Sequence, residues 1–306
     1  MEKPKVRISV RNLVEFILRS GDLDNSRGSS GDKEAMLKGG RLHRKIQRSM
    51  KGNYQAEVSL KRESEYEDVI IQVEGRADGI FTEDGEFWID EIKGTYGNLQ
   101  AMEVPVPVHR AQAMCYGWIY GEKEGLSQIG IQMTYSHLDT EDTRRFREIF
   151  SMEELKNWYQ KLLDDYHKWI SCSLSWKKER NASMKDLQFP FPYREGQREI
   201  VSGVYHTVSS KKTLFVQAPT GVGKTMSAIF PSVRAIGEGK GETLFYLTAK
   251  TITGTVAWEA FHTLRENGLK FKVTAITAKE KLCFLDSPEC TPEKCPYAKG
   301  HFDRVN

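Results

Sequence analysis

Cysteine is scarce and unevenly spread: five in 306 residues, with Cys115 and Cys172 isolated and Cys283, Cys290 and Cys295 bunched near the end. That is not the disulfide framework of a secreted domain. Charge of one sign is also lacking, because the formal net charge is only +3. Whole-chain electrostatics therefore say little about nucleic acid, and local charge has to speak instead. The opening MEKPKVRISVRNLVEFILRSGD interrupts its apolar residues with Lys and Arg. It has neither a signal-peptide core nor the length of a membrane span, so the protein reads as cytoplasmic with no membrane partner. No repeat of roughly 20–50 residues is visible. What is present, 28% charged, 39% hydrophobic and 10% aromatic residues, supplies apolar material for real cores, and the length suits two domains.

Residues 20–32, SGDLDNSRGSSGD, form a polar Gly/Ser-rich loop. Residues 33–50 read as a helix with Leu42, Ile46 and Met50 on one side and a dense set of bases on another. VIIQVEGRADGIF and EFWIDEIKGT read as strands joined at Asp84-Gly85; HRAQAMCYGWIYGEK is helical and QIGIQMTYSHL a strand. Residues 151–176 form an amphipathic helix carrying Trp158, Leu162, Tyr166 and Trp169. SWKKERNASMKDLQFPFPYREGQ, polar and then punctuated by Pro, reads as a linker. Beyond it come helix, strand TLFVQ, loop, helix, strand TLFYLTA, helix and strand KVTAIT, an alternation that predicts parallel α/β.

The stretch EGRADGIFTEDGEFWIDEIKGT, residues 74–95, carries the sharpest expectation. With Asp84 and Gly85 at the centre of a tight primed turn, residue 83 pairs with 86, and Asp78 faces Glu91. Cβ atoms so paired lie roughly 4.5–5.5 Å apart, and like charges there are destabilising. Lys93 joins the same face because strand side chains repeat every second residue. Two carboxylates at that spacing favour hard Mg²⁺ or Mn²⁺, which neutralises the repulsion, and the lysine can hold a phosphate or activate a water. A solvated hairpin face is the plain alternative, and a longer turn would separate the pair.

GRADG followed by IDEIKGT resembles the PD-(D/E)XK nuclease core, specifically its RecB-like branch. Upstream, GGRLHRKIQ resembles that branch's helix with a metal-binding histidine, mapping onto His43; downstream, QAMCY resembles its Q-x-x-x-Y motif, mapping onto Gln112 and Tyr116. The resemblance covers roughly residues 8–170 and implies a metal-dependent DNA phosphodiesterase with a restriction-endonuclease-like α/β/α core. It implies that His43, Asp78 and Glu91 bind one or two ions, and that Lys93 orients the attacking water or stabilises developing charge. Gln112 and Tyr116 would position DNA, with Arg41, Arg44, Lys45 and Arg48 holding its backbone electrostatically, although a solvated helix face explains such bases equally simply. Some iron–sulphur relatives flank this core with cysteines; Cys115 and Cys172 alone do not place a cluster in this half.

TLFVQAPTGVGKTMSAIF puts an apolar strand, a loop with Gly221, Val222 and Gly223, and then Lys224-Thr225 directly before a helix. This is the context of a Walker A phosphate loop for ATP, with Lys224 reaching the β/γ oxygens and Thr225 on Mg²⁺. The first position is Ala218 rather than Gly. FPYREGQ, APTGVGKT, PSVRAIGEG and TLFYLTAKTITGTVAWEAF together resemble the DinG/XPD branch of superfamily 2 DNA helicases, from about Phe189 onward. By resemblance Gln197, with Tyr193 or Arg194 nearby, is the adenine-side contact, and Thr248, Lys250 and Thr251 touch the DNA backbone. KEKLCFLDSPECTPEKCPYAKG resembles that branch's iron–sulphur insertion. A 4Fe–4S cluster takes four ligands, and Cys283, Cys290 and Cys295 supply three; a fourth beyond Asn306, a zinc-like site and a vestigial knot all stay open.

The expected architecture is therefore α/β: a PD-(D/E)XK nuclease domain over 1–180, then a partial RecA-like P-loop motor over 186–306. The acidic Walker B element and second motor lobe of the helicase pattern are not seen, so the chain reads as the front part of a longer protein. The expected function is a nuclease-helicase acting on single-stranded or branched DNA in repair, recombination or defence. The alternative is a non-catalytic DNA-binding or adaptor domain on a P-loop ATPase switch.

Overall fold

The computed structural model describes residues 3–24, 33–50, 52–249, 251–285 and 289–305. Among them the protein is mixed α/β, with six strands and nine helices. Two compact units emerge, Met1–Ser171 together with Cys283–Asn306, and Cys172–Leu282.

The first unit opens with β1 (Lys5–Ser9) and α1 (Val10–Leu18). Ser9 caps α1 by accepting the N–H of Asn12 on its hydroxyl at 3.1 Å, which starts the helix directly from the strand. There follow α2 (Lys33–Ser49), β2 (Gln55–Glu65), β3 (Ile70–Glu83), β4 (Glu86–Thr95), α3 (Pro107–Glu124), β5 (Gln128–His137), β6 (Thr143–Ser151) and α4 (Met152–Lys185). The main path of the sheet runs β1-β3-β4-β5-β6, and β2 pairs with β3. β4 and β5 are parallel, and the crossover that parallel pairing requires is α3. Proline at its first turn and left-handed Gly125 at its end set the limits of that helix.

The β3–β4 hairpin turns at Asp84 and Gly85, both left-handed with φ of 53° and 85°, as a primed two-residue turn needs. Its pairs run from Glu83–Glu86 to Gly79–Asp90, the register expected from the Asp-Gly step. β5 is the most deeply buried strand, with Ile129, Ile131, Met133 and Tyr135 in the core. Two glycines let aromatic rings lie flat on the sheet. Trp88 covers Gly130 and Tyr54 covers Gly79, and Tyr54, Phe81 and Trp88 stack in series, with Arg147 4.9 Å above the Trp88 ring.

β1, α1, β2 and β6 were not foreseen from the sequence. α4 differs in two respects from its expectation. It runs on to Lys185, so residues 175–185 are helix rather than linker, and Met184 is fully buried. Its buried stripe is Leu155, Tyr159, Leu162, Leu163 and Tyr166, whereas Trp169 is exposed and lies edge-on to Phe16. The last 24 residues of the chain belong to the first unit, where the Phe302 N–H of α9 (His301–Val305) donates to Gly21 O and Arg19 lies over the Phe302 ring.

In the second unit α5 (Gln197–Ser209), α6 (Lys224–Gly237) and α7 (Thr251–Glu266) surround a core of Met184, Ile229, Phe230, Val233, Phe261 and Leu264, and the short α8 (Lys279–Leu282) buries no residue. The three strands expected at TLFVQ, TLFYLTA and KVTAIT are absent among the described residues. Continuous apolar runs match a buried strand in composition, but a strand exists only through a ladder with a neighbour. Here Phe215 and Ile276 are each 92% exposed. No helix among the described residues is long and apolar enough to cross a membrane.

Replacing Gly130 by Ala places a methyl group inside the Trp88 ring. Overpacking of this kind costs about 1–3 kcal/mol, so the urea midpoint of Gly130→Ala falls while Gly125→Ala, at an open turn, loses stability only through its left-handed backbone.

Candidate metal centre and phosphate loop

The strand pairing leaves a gap. β1 lies along Ile70–Glu74 and β4 along Gly79–Glu83, so the stretch between, Gly75–Asp78, has neither of them as a partner. Side chains replace the missing ladder. The N–H of Ile92 donates to Asp78 Oδ2 at 2.8 Å, and the N–H of Arg76 donates to the Tyr116 hydroxyl. A side chain at Gly75 would meet that hydroxyl at 2.6 Å, so the phenol enters only because residue 75 is glycine.

Around this fork the fold assembles residues from four elements. His43, on α2, brings Nδ1 to 3.5 Å from Asp78 Oδ1, while Leu42 and Ile46 anchor that helix against Ile92. Glu91 on β4 is 2% exposed. Its Oε1 accepts from Lys93 Nζ at 2.6 Å, and its Oε2 has no hydrogen-bond partner. Lys93 Nζ also donates to Gln112 Oε1 at 3.2 Å, placing α3 over the Glu91 face. Burial first of all pushes the Glu91 carboxyl up to about 7; the Lys93 ammonium pulls it back, the Asp78 charge adds to the rise and His43 opposes it. The Tyr116 phenol is pushed up by burial and then by the Glu91 charge.

Gln112 and Tyr116 are buried, and their polar atoms face Lys93 and the fork rather than the surface. Arg41, Arg44, Lys45 and Arg48 are exposed on α2, with Lys45 paired to Glu141. Two neighbours went unnoticed in the sequence. His109, one turn before Gln112, is driven down to about 4 by burial and then by the Lys93 charge, so its imidazole is neutral against the Tyr135 hydroxyl at 3.1 Å. Its i, i+3 spacing to Gln112 was the available signal. Asp90 lies on the opposite face of β4, fully buried, held by Thr134 Oγ1 at 2.7 Å, Gln132 Nε2 at 3.1 Å and the Tyr54 hydroxyl at 3.1 Å.

The donor set of His43, Asp78 and Glu91 suits a hard divalent cation, and the orphaned, buried Oε2 of Glu91 is the atom whose desolvation such an ion would offset. Among the described residues, however, no three His, Cys, Asp or Glu side chains are gathered closely enough to form a metal cage. Lys93 takes Glu91 Oε1 and the Ile92 N–H takes Asp78 Oδ2 in its place. None of the five cysteines is in a disulfide; Cys283 and Cys290 are half-buried, Cys295 is buried, and Cys115 is enclosed in α3.

In the second unit Gly221 and Gly223 are left-handed, with φ of 88° and 80°, and α6 starts at Lys224. Lys224 Nζ donates to Ala218 O at 3.1 Å and Pro219 O at 2.7 Å, and Thr225 Oγ1 accepts from the Tyr246 hydroxyl at 3.4 Å. Val222 is half-buried in the loop. Gln197 is buried against Gly223, where a side chain would overlap its amide, and Arg194 reaches Gly221 O. Tyr193 stacks on Phe189 at 4.4 Å. Thr248 is exposed on an irregular segment, the side chain of Thr251 is outside the described set, and Lys250 lies outside the described residues.

No family model matches the chain. A stretch of 47 residues, 15% of the chain, is 40% identical to the probable ATP-dependent helicase MJ0942 of Methanocaldococcus jannaschii, and it spans 7% of that protein's length. A solved structure described as the crystal structure of SSO0001 aligns over 53% of this chain and 78% of its own, at 19% identity and a TM-score of 0.36. The helicase name belongs to the archaeal protein and touches this chain only through those 47 residues.

The proton affinity of Glu91 has a measurable consequence for the metal-free protein. Its folded-state value lies above the ordinary 4.5, so the folded chain holds the proton to about pH 7 while the unfolded chain releases it earlier. Its stabilising contribution is complete below pH 4.5 and is lost as pH rises through about 7. In chelator, the stability of Glu91→Gln relative to the parent therefore rises by about 1–3 kcal/mol between acidic and alkaline buffer. Urea denaturation of both proteins across that range checks it.

Proposed function

We propose that the first unit is a divalent-metal-dependent nucleic-acid phosphodiesterase and that the second binds a nucleoside triphosphate, the two serving a DinG/XPD-like nuclease-helicase. The observation that carries the first half is the fork itself. A carboxylate with a buried, unpartnered oxygen stands beside a lysine, an aspartate and a histidine, at a break in strand pairing. In this reading His43, Asp78 and Glu91 hold Mg²⁺ or Mn²⁺. The ion, when bound, supplies Lewis-acid polarisation of the scissile phosphate and a lowered water pKa. Lys93 carries a positive charge next to that position, and Gln112 fixes its ammonium. Arg44 and its neighbours on α2 lie along the exposed side of the same helix and meet a phosphate backbone electrostatically.

The second half rests on the two left-handed glycines that run into the N-terminus of α6. Lys224 occupies the loop's own carbonyls, a hold that the β and γ oxygens of ATP would replace. The matched helicase stretch agrees with a nucleotide-driven motor. That no cage of three ligands is preformed among the described residues favours a second reading, a non-catalytic DNA-binding domain on an ATPase switch.

Cleavage of single-stranded DNA with Mn²⁺ decides between them. Glu91→Gln loses about 10²–10⁴-fold in rate on the first reading, and cuts as fast as the parent on the second. Lys224→Ala abolishes ATP binding and leaves cleavage intact where the two sites are separate. Coupled loss of both would overturn that modularity.

A further inference from the structure

We propose that Gln47 is the positioning residue for Asp78, holding the backbone of the fork so that the carboxylate meets His43 and a divalent cation. This rests on the metal reading given above. Asp78 is released from strand pairing on both sides. Its pairing with β4 stops at Gly79–Asp90, and on the β2 side the pairs Ala56–Gly79 and Val58–Ala77 are kept while Glu57–Asp78 drops out.

The reason for the second break is Glu57, whose φ of 58° is left-handed in the middle of a strand. A non-glycine residue held there is strained, and strain of this kind persists only where surrounding contacts impose it. The contacts are visible. Gln47 Nε2 donates to Asp78 O at 2.9 Å and to Glu57 Oε1 at 3.0 Å, and Arg76 Nε holds the other oxygen, Glu57 Oε2, at 2.5 Å. One amide group thus satisfies the Asp78 carbonyl that lost its ladder donor and secures the side chain of the residue that caused the loss.

Gln47 lies four residues after His43, one turn further along α2 on the same side. The helix therefore addresses Asp78 twice, through imidazole at the carboxylate and through amide at the carbonyl. Without the amide, the Asp78 backbone regains freedom at the point where its side chain has to meet the ion, even though no ligand atom has been removed.

The test uses the whole 306-residue chain and Mn²⁺ alone as the probe. Gln47→Met keeps the length and apolar stem and deletes both donors. Thermal melting in chelator reports the fold, and calorimetric titration reports Mn²⁺ affinity without reference to cleavage. The expected result is a melting curve close to the parent's and an affinity lowered about 10–100-fold, as for loss of an outer-shell partner. Gln47→Asn, one methylene short of the carbonyl, is the second variant if Gln47→Met does not fold, with the same expected loss. Parent-like affinity in either folded variant overturns the inference and leaves the metal reading standing. A parent that binds no Mn²⁺ overturns both.

Discussion

The N–H of Ile92 bonds the carboxylate of Asp78 in place of a backbone carbonyl, and the geometry of the first unit is organised around that substitution. An antiparallel hairpin left to itself keeps pairing until its strands end. Here β3 exchanges β4 for β1 along one edge, and the interval between them must be filled by side chains, because buried backbone donors left unpaired are costly. Asp78 and Tyr116 fill it. Both bring polar chemistry into the interval, and α2 and α3 are packed so as to complete it.

Glu91 and Asp90 are adjacent buried acids with opposite fates, and alternation along the strand explains why. Asp90 points to the face where Thr134, Gln132 and Tyr54 supply three donors, which offset its burial and make it part of the scaffold. Glu91 points to the face of α3 and receives one donor, from Lys93, leaving one oxygen unsatisfied. A buried carboxylate with a vacant lone pair is what a structural acid avoids and a ligand-binding acid requires.

In the second unit the helices bury a continuous core against which Leu244, Phe271 and Val273 pack partly buried, while Phe215, Leu247 and Ile276 of the intervening apolar segments stay exposed. The loop before α6 nevertheless has its two left-handed glycines and its helix start, because these depend on a few consecutive residues. Lys224 turns back on Ala218 and Pro219, a local choice for an ammonium with carbonyls in reach.

The hairpin register was legible in the sequence because an Asp-Gly pair in a primed turn leaves the flanking strands one alignment, and the pairs from Glu83–Glu86 to Gly79–Asp90 follow from it, whereas the expected Asp78–Glu91 pair does not form because the ladder stops one step before it. The body of α3 was legible as the helical stretch HRAQAMCYGWIYGEK, while its start at Pro107 and its left-handed cap at Gly125 were local signals that went unused. What the sequence could not reveal depends on partners distant in the chain: that Gln112 serves Lys93, that Gln47 reaches Asp78, and that TLFVQ finds no ladder. Turns and caps are decided by the dihedral preferences of a few neighbouring residues, and so are written locally. Strand pairing, burial and proton affinity are set by which surfaces meet, and only tertiary packing decides that.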